Sequence, residues 1–295
     1  MPTVHVLSYF TTEEESLHLA VSVDGRTFHA VDDGGEILRG AIGSESIRDP
    51  FIAVGPDGRF HLLGTNGWES DAIVHTASDD LLTWDEQTLL PVMGAVAGTL
   101  NCWAPEFFVE PDSGRARIIW SSVVDPHPVD GPQTDRDWNR RHQVIWSCLT
   151  TDFTELSRAE VYFDPGFSVI DASVLVQDNE VLMAYKDEQG DPVVGGAHNR
   201  IHVRRTTPSS SEELGAVTPS PTEGPTLYRH DDEIVMLFDH YLEGRYGAVS
   251  SVDGHTWTPA AVQVPSGVRH AAVMTIPSEH PAVAALLART MIGGR

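Results

Sequence analysis

The sequence predicts an all-β fold, a five-bladed β-propeller, and three observations carry that prediction. One strand-and-turn motif recurs around the chain, five short strand starts precede its copies at even spacing, and a plain apolar strand lies between most pairs. A motif repeated at a fixed period marks an architecture of like units, none of which can bury its apolar faces alone.

The motif reads LHLAVSVDGRTF at residues 17–28, AIVHTASDDLLTW at 72–84, HQVIWSCLTTDFTEL at 142–156 and YGAVSSVDGHTW at 246–257. Each copy alternates apolar and polar residues, the period of a strand, and then turns on Ser/Thr-x-Asp. Residues 200–206 (RIHVRRT) keep the strand and lose the turn. The starts are RDPFI at 48–52, WAPEFF at 103–108, IDASVL at 170–175, EGPTL at 223–227 and RHAAVM at 269–274. Between a start and its partner lie FHLL (60–63), ARIIW (116–120), VLMAY (181–185) and IVMLF (234–238). Five starts imply five blades in one domain spanning residues 1–295.

The fifth start has too little chain after it to complete a blade, so strands at 4–9 and 17–23 are expected to fill the gap and close the ring. Closure also removes the sheet edges that an open set of blades would present. Residues 281–291 (PAVAALLARTM) read as a short amphipathic C-terminal helix. Residues 125–141, rich in Pro, Asp and Arg, read as a long loop over one face, and 209–225 as a second. A β-sandwich also alternates at regular spacing, but sandwiches do not repeat one strand motif around the chain.

Composition narrows the function. The 295 residues are 41% hydrophobic and 21% charged, ordinary for a globular chain with a sizeable core. With 19 Lys+Arg against 43 Asp+Glu, the formal charge is −24, which repels nucleic acid and anionic membranes and leaves a neutral sugar unaffected. Residues 1–10 (MPTVHVLSYF) lack the basic and apolar regions of a signal peptide, and no apolar run reaches spanning length. Cys102 and Cys148 are too few for a disulfide framework and lack metal-ligand spacing. The expectation is a cytoplasmic protein, with the oligomeric state left open.

In a propeller the first strand of each blade lines the central channel, so polar residues at blade starts converge at one end of the axis. Asp49, Glu106, Asp171, Glu223 and His270 are those residues. Like charges so close cannot all stay ionised, which raises the pKa of at least one carboxyl. Glycoside cleavage needs that: one acid that protonates the leaving oxygen and one carboxylate that activates water. Each residue has a plainer reading too. Asp49 before Pro50 suits a turn, Glu223 suits a solvated loop, and His270 suits a hydrogen-bonded core position.

In that order, RDPFI, WAPEFF, IDASVL, EGPTL and RHAAV resemble the blade-start motifs of glycoside hydrolase family 43, a five-bladed family of arabinofuranosidases, xylosidases and related enzymes. The resemblance implies Asp49 as general base, Asp171 as the group that orients the donor and tunes its pKa, and Glu223 as general acid. The family inverts stereochemistry, which requires base and acid carboxyls roughly 6.5–9.5 Å apart. His270 resembles the axial histidine that faces a calcium or sodium ion in the channel of many members; no other cofactor is implied. Two departures stand out. Ala172 replaces the usual proline, and Glu106 stands where many relatives have aspartate.

Candidate carbohydrate contacts are Arg48, Lys186 and His240 for hydroxyls, Arg269 and Glu106 at the channel, and Trp68 and Trp103 as a platform for a sugar face. The implied activity is an exo-acting glycosidase releasing a terminal pentofuranose, α-L-arabinofuranose first, with β-xylosidase or β-galactofuranosidase as rivals. A non-catalytic carbohydrate-binding propeller is the alternative of another class. A phosphorylase would need basic residues clustered for phosphate, and the channel motifs supply few.

Overall fold

The computed structural model describes residues 2–125, 141–177, 180–190 and 197–290. These form five four-stranded antiparallel sheets. The chain begins with β1 (Thr3–Thr11), β2 (His18–Ser22) and β3 (His29–Ala30). The first complete blade follows: β4 (Arg48–Val54), β5 (Phe60–Thr65), β6 (Ile73–Ser78) and β7 (Thr88–Leu90). The second has β8 (Trp103–Val109), β9 (Ala116–Ser122), β10 (Val144–Thr150) and β11 (Glu160–Phe163). The third has β12 (Val169–Gln177), β13 (Glu180–Asp187), β14 (Ile201–Thr207) and β15 (Ser210–Ala216). The fourth has β16 (Glu223–His230), β17 (Glu233–His240), β18 (Arg245–Ser251) and β19 (Thr258–Ala260). Finally β20 (Val268–Pro277) pairs with β1 in the sheet order β20-β1-β2-β3, so the N-terminal strands close the ring as expected.

Five apolar clusters fill the five seams between neighbouring blades. Leu63, Ile73, Phe107 and Ile118 join the first blade to the second. Ile119, Ile145, Met183 and Tyr185 join the second to the third, and Leu182, Val203, Met236 and Phe238 the third to the fourth. Tyr228, Leu237, Leu7 and Tyr9 seal the fourth against the closing blade. Val6, Leu19, Ile52 and Leu62 form the last seam. Both faces of the middle strands are therefore covered, which is why β5 and β6 are buried along their whole length. The helix α1 (Pro281–Ala288) is capped by His280, whose Nδ1 accepts the Ala282 N–H at 3.2 Å. It packs Ala282, Val283 and Leu286 into the last seam.

The recurring Ser/Thr-x-Asp segments are local hydrogen-bonded turns. Asp24 Oδ1 accepts the N–H groups of Arg26 and Thr27 at 2.8 and 2.7 Å, and Ser22 Oγ donates to it at 2.8 Å. Asp80, Asp152 and Asp253 repeat the arrangement. The register Arg48↔Thr65, Val54↔Phe60 and Phe60↔Ser78 puts this turn at the end of the blade opposite the inner-strand start. The turns are structural and stand away from the channel mouth.

One expectation is corrected. Residues 209–225 do not form a single loop: β15 takes Ser210–Ala216 and pairs with β14 as the outer strand of the third blade. Its polar composition belongs to a solvent-facing edge strand, where charged residues also discourage pairing with another chain. The loop expected at 125–141 lies largely outside the described residues.

Candidate active site

Every inner strand carries a β-bulge near its start, at the same register. Between Arg48↔Thr65 and Phe51↔Leu63 two residues of β4, Asp49 and Pro50, oppose one of β5. The same count holds at Ala104-Pro105, Asp171-Ala172, Gly224-Pro225 and His270-Ala271. The first bulged residue has positive φ in each: 49° at Asp49, 46° at Ala104, 56° at Asp171, 54° at Gly224 and 33° at His270. Such bulges re-aim side chains, and positive φ at non-glycine residues is strain that persists where surrounding structure enforces it. Asp49, Asp171 and His270 therefore occupy equivalent positions, whereas Glu223 precedes its bulge by one residue. Glu106 lies one residue past its own.

Asp49 is held by Thr65, whose hydroxyl donates to Asp49 Oδ2 at 2.6 Å while accepting the Ala104 N–H at 2.8 Å. Asp171 Oδ2 accepts the backbone N–H of Gly224 at 3.1 Å, and its own N–H donates to Ser121 Oγ at 3.1 Å. The orienting bond thus reaches the residue that follows Glu223. Burial raises the Asp171 pKa to about 6, with His270 pulling it down and Glu223 pushing it up. His270 Nδ1 lies 3.4 Å from Asp49 Oδ1 and 3.9 Å from Asp171 Oδ2. Burial pulls its pKa down, but the carboxylates of Asp49, Asp171, Glu223 and Glu106 outweigh that and raise it. Glu106, deeper in the channel, accepts the Val174 N–H at 3.3 Å, and burial lifts its pKa to about 8.

Glu223 sits at the centre of a chain of alternating charge. Lys186 Nζ donates to Glu223 Oε2 at 3.1 Å and makes a 2.6 Å ion pair with Glu188. On the other side, Arg269 Nη2 donates to Glu223 Oε1 at 3.3 Å, and its Nε donates to Asp239 Oδ2 at 2.8 Å. Burial depresses the Lys186 pKa, yet Glu188 and Glu223 overcome it and hold the ammonium well above its ordinary range. Each cation also has a backing carboxylate, Glu188 for Lys186 and Asp239 for Arg269, so neither depends on Glu223 alone for its partner. Both cations stabilise the negative charge of the Glu223 carboxylate they donate to.

At the rim, the Arg48 guanidinium lies 5.0 Å from the Phe10 and Trp68 ring centres and pairs with Glu15. Trp68, 55% exposed, meets Trp103 edge to face at 5.5 Å, and Trp103 Nε1 donates to the Trp68 carbonyl at 2.9 Å. An exposed aromatic beside the channel is a ready platform for the apolar face of a sugar. His240 is placed differently: it packs on Phe238, and its nearest charges are Arg245 and Glu243. Among the described residues no group of three or more His, Cys, Asp or Glu side chains is arranged to hold a metal ion, and His270 is turned to two carboxylates.

Thr65, Glu188 and Asp239 were missed from sequence. Only for Asp239 was there a signal, an acid inside the apolar strand EIVMLFDH. Ionisable groups in such strands need partners, and here the partner is Arg269.

The folded chain resembles several known proteins. A thermostable family-43 glycoside hydrolase matches with TM-score 0.59 at 18% identity, covering 79% of this chain and 80% of the other. An α-L-arabinofuranosidase from Clostridium thermocellum matches with TM-score 0.60 at 13% identity, covering 91% and 92%. These likenesses show the fold. In sequence, an α-L-arabinofuranosidase of Bifidobacterium longum is 22% identical over 182 residues, which is 56% of this chain and 17% of that relative's length. A family model described as a probable glycosyl hydrolase domain, related to glycoside hydrolase family 43, matches residues 3–281, and the chain belongs to that family.

Proposed function

We propose that the chain is an inverting, exo-acting glycoside hydrolase that releases a terminal pentofuranose, α-L-arabinofuranose first among the candidates. The observation that carries the reading is the convergence of Asp49, Asp171 and Glu223 from three blades, each held by different partners. Two carboxylates with opposed tasks need opposed surroundings. In the proposed reaction Asp49 takes a proton from water as its oxygen bonds to the anomeric carbon. Glu223 gives a proton to the departing oxygen as the glycosidic bond breaks. Asp171 orients the segment that carries Glu223 through the Gly224 N–H. The reaction uses side chains alone, with no cofactor.

Arabinofuranose rests on the curated relative and the structural neighbour named for it, and β-xylose and β-galactofuranose remain its rivals. A panel of nitrophenyl glycosides tests the choice: release from the α-L-arabinofuranoside supports it, and silence across all pentosides and galactofuranosides refutes it. Asp49→Ala and Glu223→Ala separate an enzyme from a carbohydrate-binding propeller. Each is expected to lower turnover about 10²–10⁴-fold.

A further inference from the structure

Lys186 is the only lysine among 19 Lys and Arg residues in the chain, and it is 3% exposed. Its Nζ contacts protein groups on three sides: Glu223 at 3.1 Å, Glu188 at 2.6 Å, and the Tyr241 ring, whose centre is 4.8 Å away. A compact ammonium has three donors, whereas a guanidinium is a planar fork that would not fit between two carboxylates and a ring in this way. With those directions taken, a sugar hydroxyl could be bound only by displacing a carboxylate or the Tyr241 ring. We propose that Lys186 is a positioning residue that acts through Glu223. It fixes where the acid carboxyl stands relative to the leaving oxygen, and Glu188 keeps the ammonium in place. Lys186 is then no hydroxyl contact.

The inference rests on Glu223 being the general acid, and the two can be separated by leaving group. A dinitrophenolate departs without a proton, while methoxide needs one, so a misplaced acid harms only the second. The test compares kcat for the 2,4-dinitrophenyl and methyl glycosides of the sugar that the nitrophenyl panel shows to be released, in wild type, Glu223→Gln and Lys186→Met. Because Lys186→Met takes the ammonium from a half-buried Glu188, the double variant Lys186→Met/Glu188→Gln, which removes both charges, is measured beside it. Both Lys186 variants are expected to lose about 10²-fold on the methyl glycoside and less than about threefold on the dinitrophenyl one. Equal losses on both glycosides in the double variant, or no loss on either, overturn the inference while leaving the acid role of Glu223 intact. A Glu223→Gln variant without the split overturns the underlying reading and this inference with it.

Discussion

Thr65→Val removes one oxygen and keeps the side-chain shape. Thr65 is 2% exposed, and its hydroxyl joins Asp49 to the start of the second blade. Loss of the bond to a carboxylate is worth about 1.5–3 kcal/mol, and an orphaned buried N–H at Ala104 costs about 1–3 kcal/mol. Together these give an expected loss of about 2.5–6 kcal/mol in unfolding free energy, read by urea denaturation. The same substitution frees the Asp49 carboxyl to rotate, and kcat is expected to fall about 10–100-fold, since small misplacements of reacting groups are costly. Thr65→Ser keeps the oxygen and should stay within about 1 kcal/mol of wild type. A Thr65→Val protein less than about 1 kcal/mol weaker, with kcat unchanged, would refute the assignment of this hydroxyl as the support of Asp49.

Two further expectations concern buried titratable groups. Burial, helped by His230 beside His5 and by His61 beside His75, lowers the pKa of His5 and of His75 from 6.5 to about 4. The unfolded chain therefore binds more protons between those values, and stability present above about pH 6.5 is lost as pH falls toward 4, by up to about 3 kcal/mol per histidine. Thermal melts across that range should show the decline, and a midpoint constant from pH 7 to 4.5 would contradict it. Lys186, buried and ion-paired, should resist amine acetylation in the native protein and react after unfolding. Peptide mapping by mass spectrometry reads this at one residue, and rapid native labelling would show that the pocket is open.

Much of the molecule was legible in the linear chain, for a physical reason. Every blade must pair, turn and cover its neighbour in the same way, so similar segments recur, and the residues opening 48–52, 170–175 and 223–227 are forced to one end of the axis. That reasoning located Asp49, Asp171 and Glu223 without any structure. It treated the five polar starts as equivalent, which they are not. A bulge at each inner strand puts Asp49, Asp171 and His270 in register, Glu223 one residue earlier and Glu106 two residues later. The third letters of RDP, WAP, IDA, EGP and RHA, always proline or alanine, were the trace of that bulge. Residues 210–216 read as loop in the sequence because an outer strand facing water carries no apolar face to reveal it. The partners of Glu223 were beyond reach altogether. Lys186 and Arg269 lie 37 and 46 residues away on other blades, and their carboxylates are Glu188, just past β13, and Asp239, within β17. Strand identity follows from local alternation and turn chemistry, which the chain carries in itself. Which charge meets which is set by inter-strand register around a closed ring, and only the folded structure decides that.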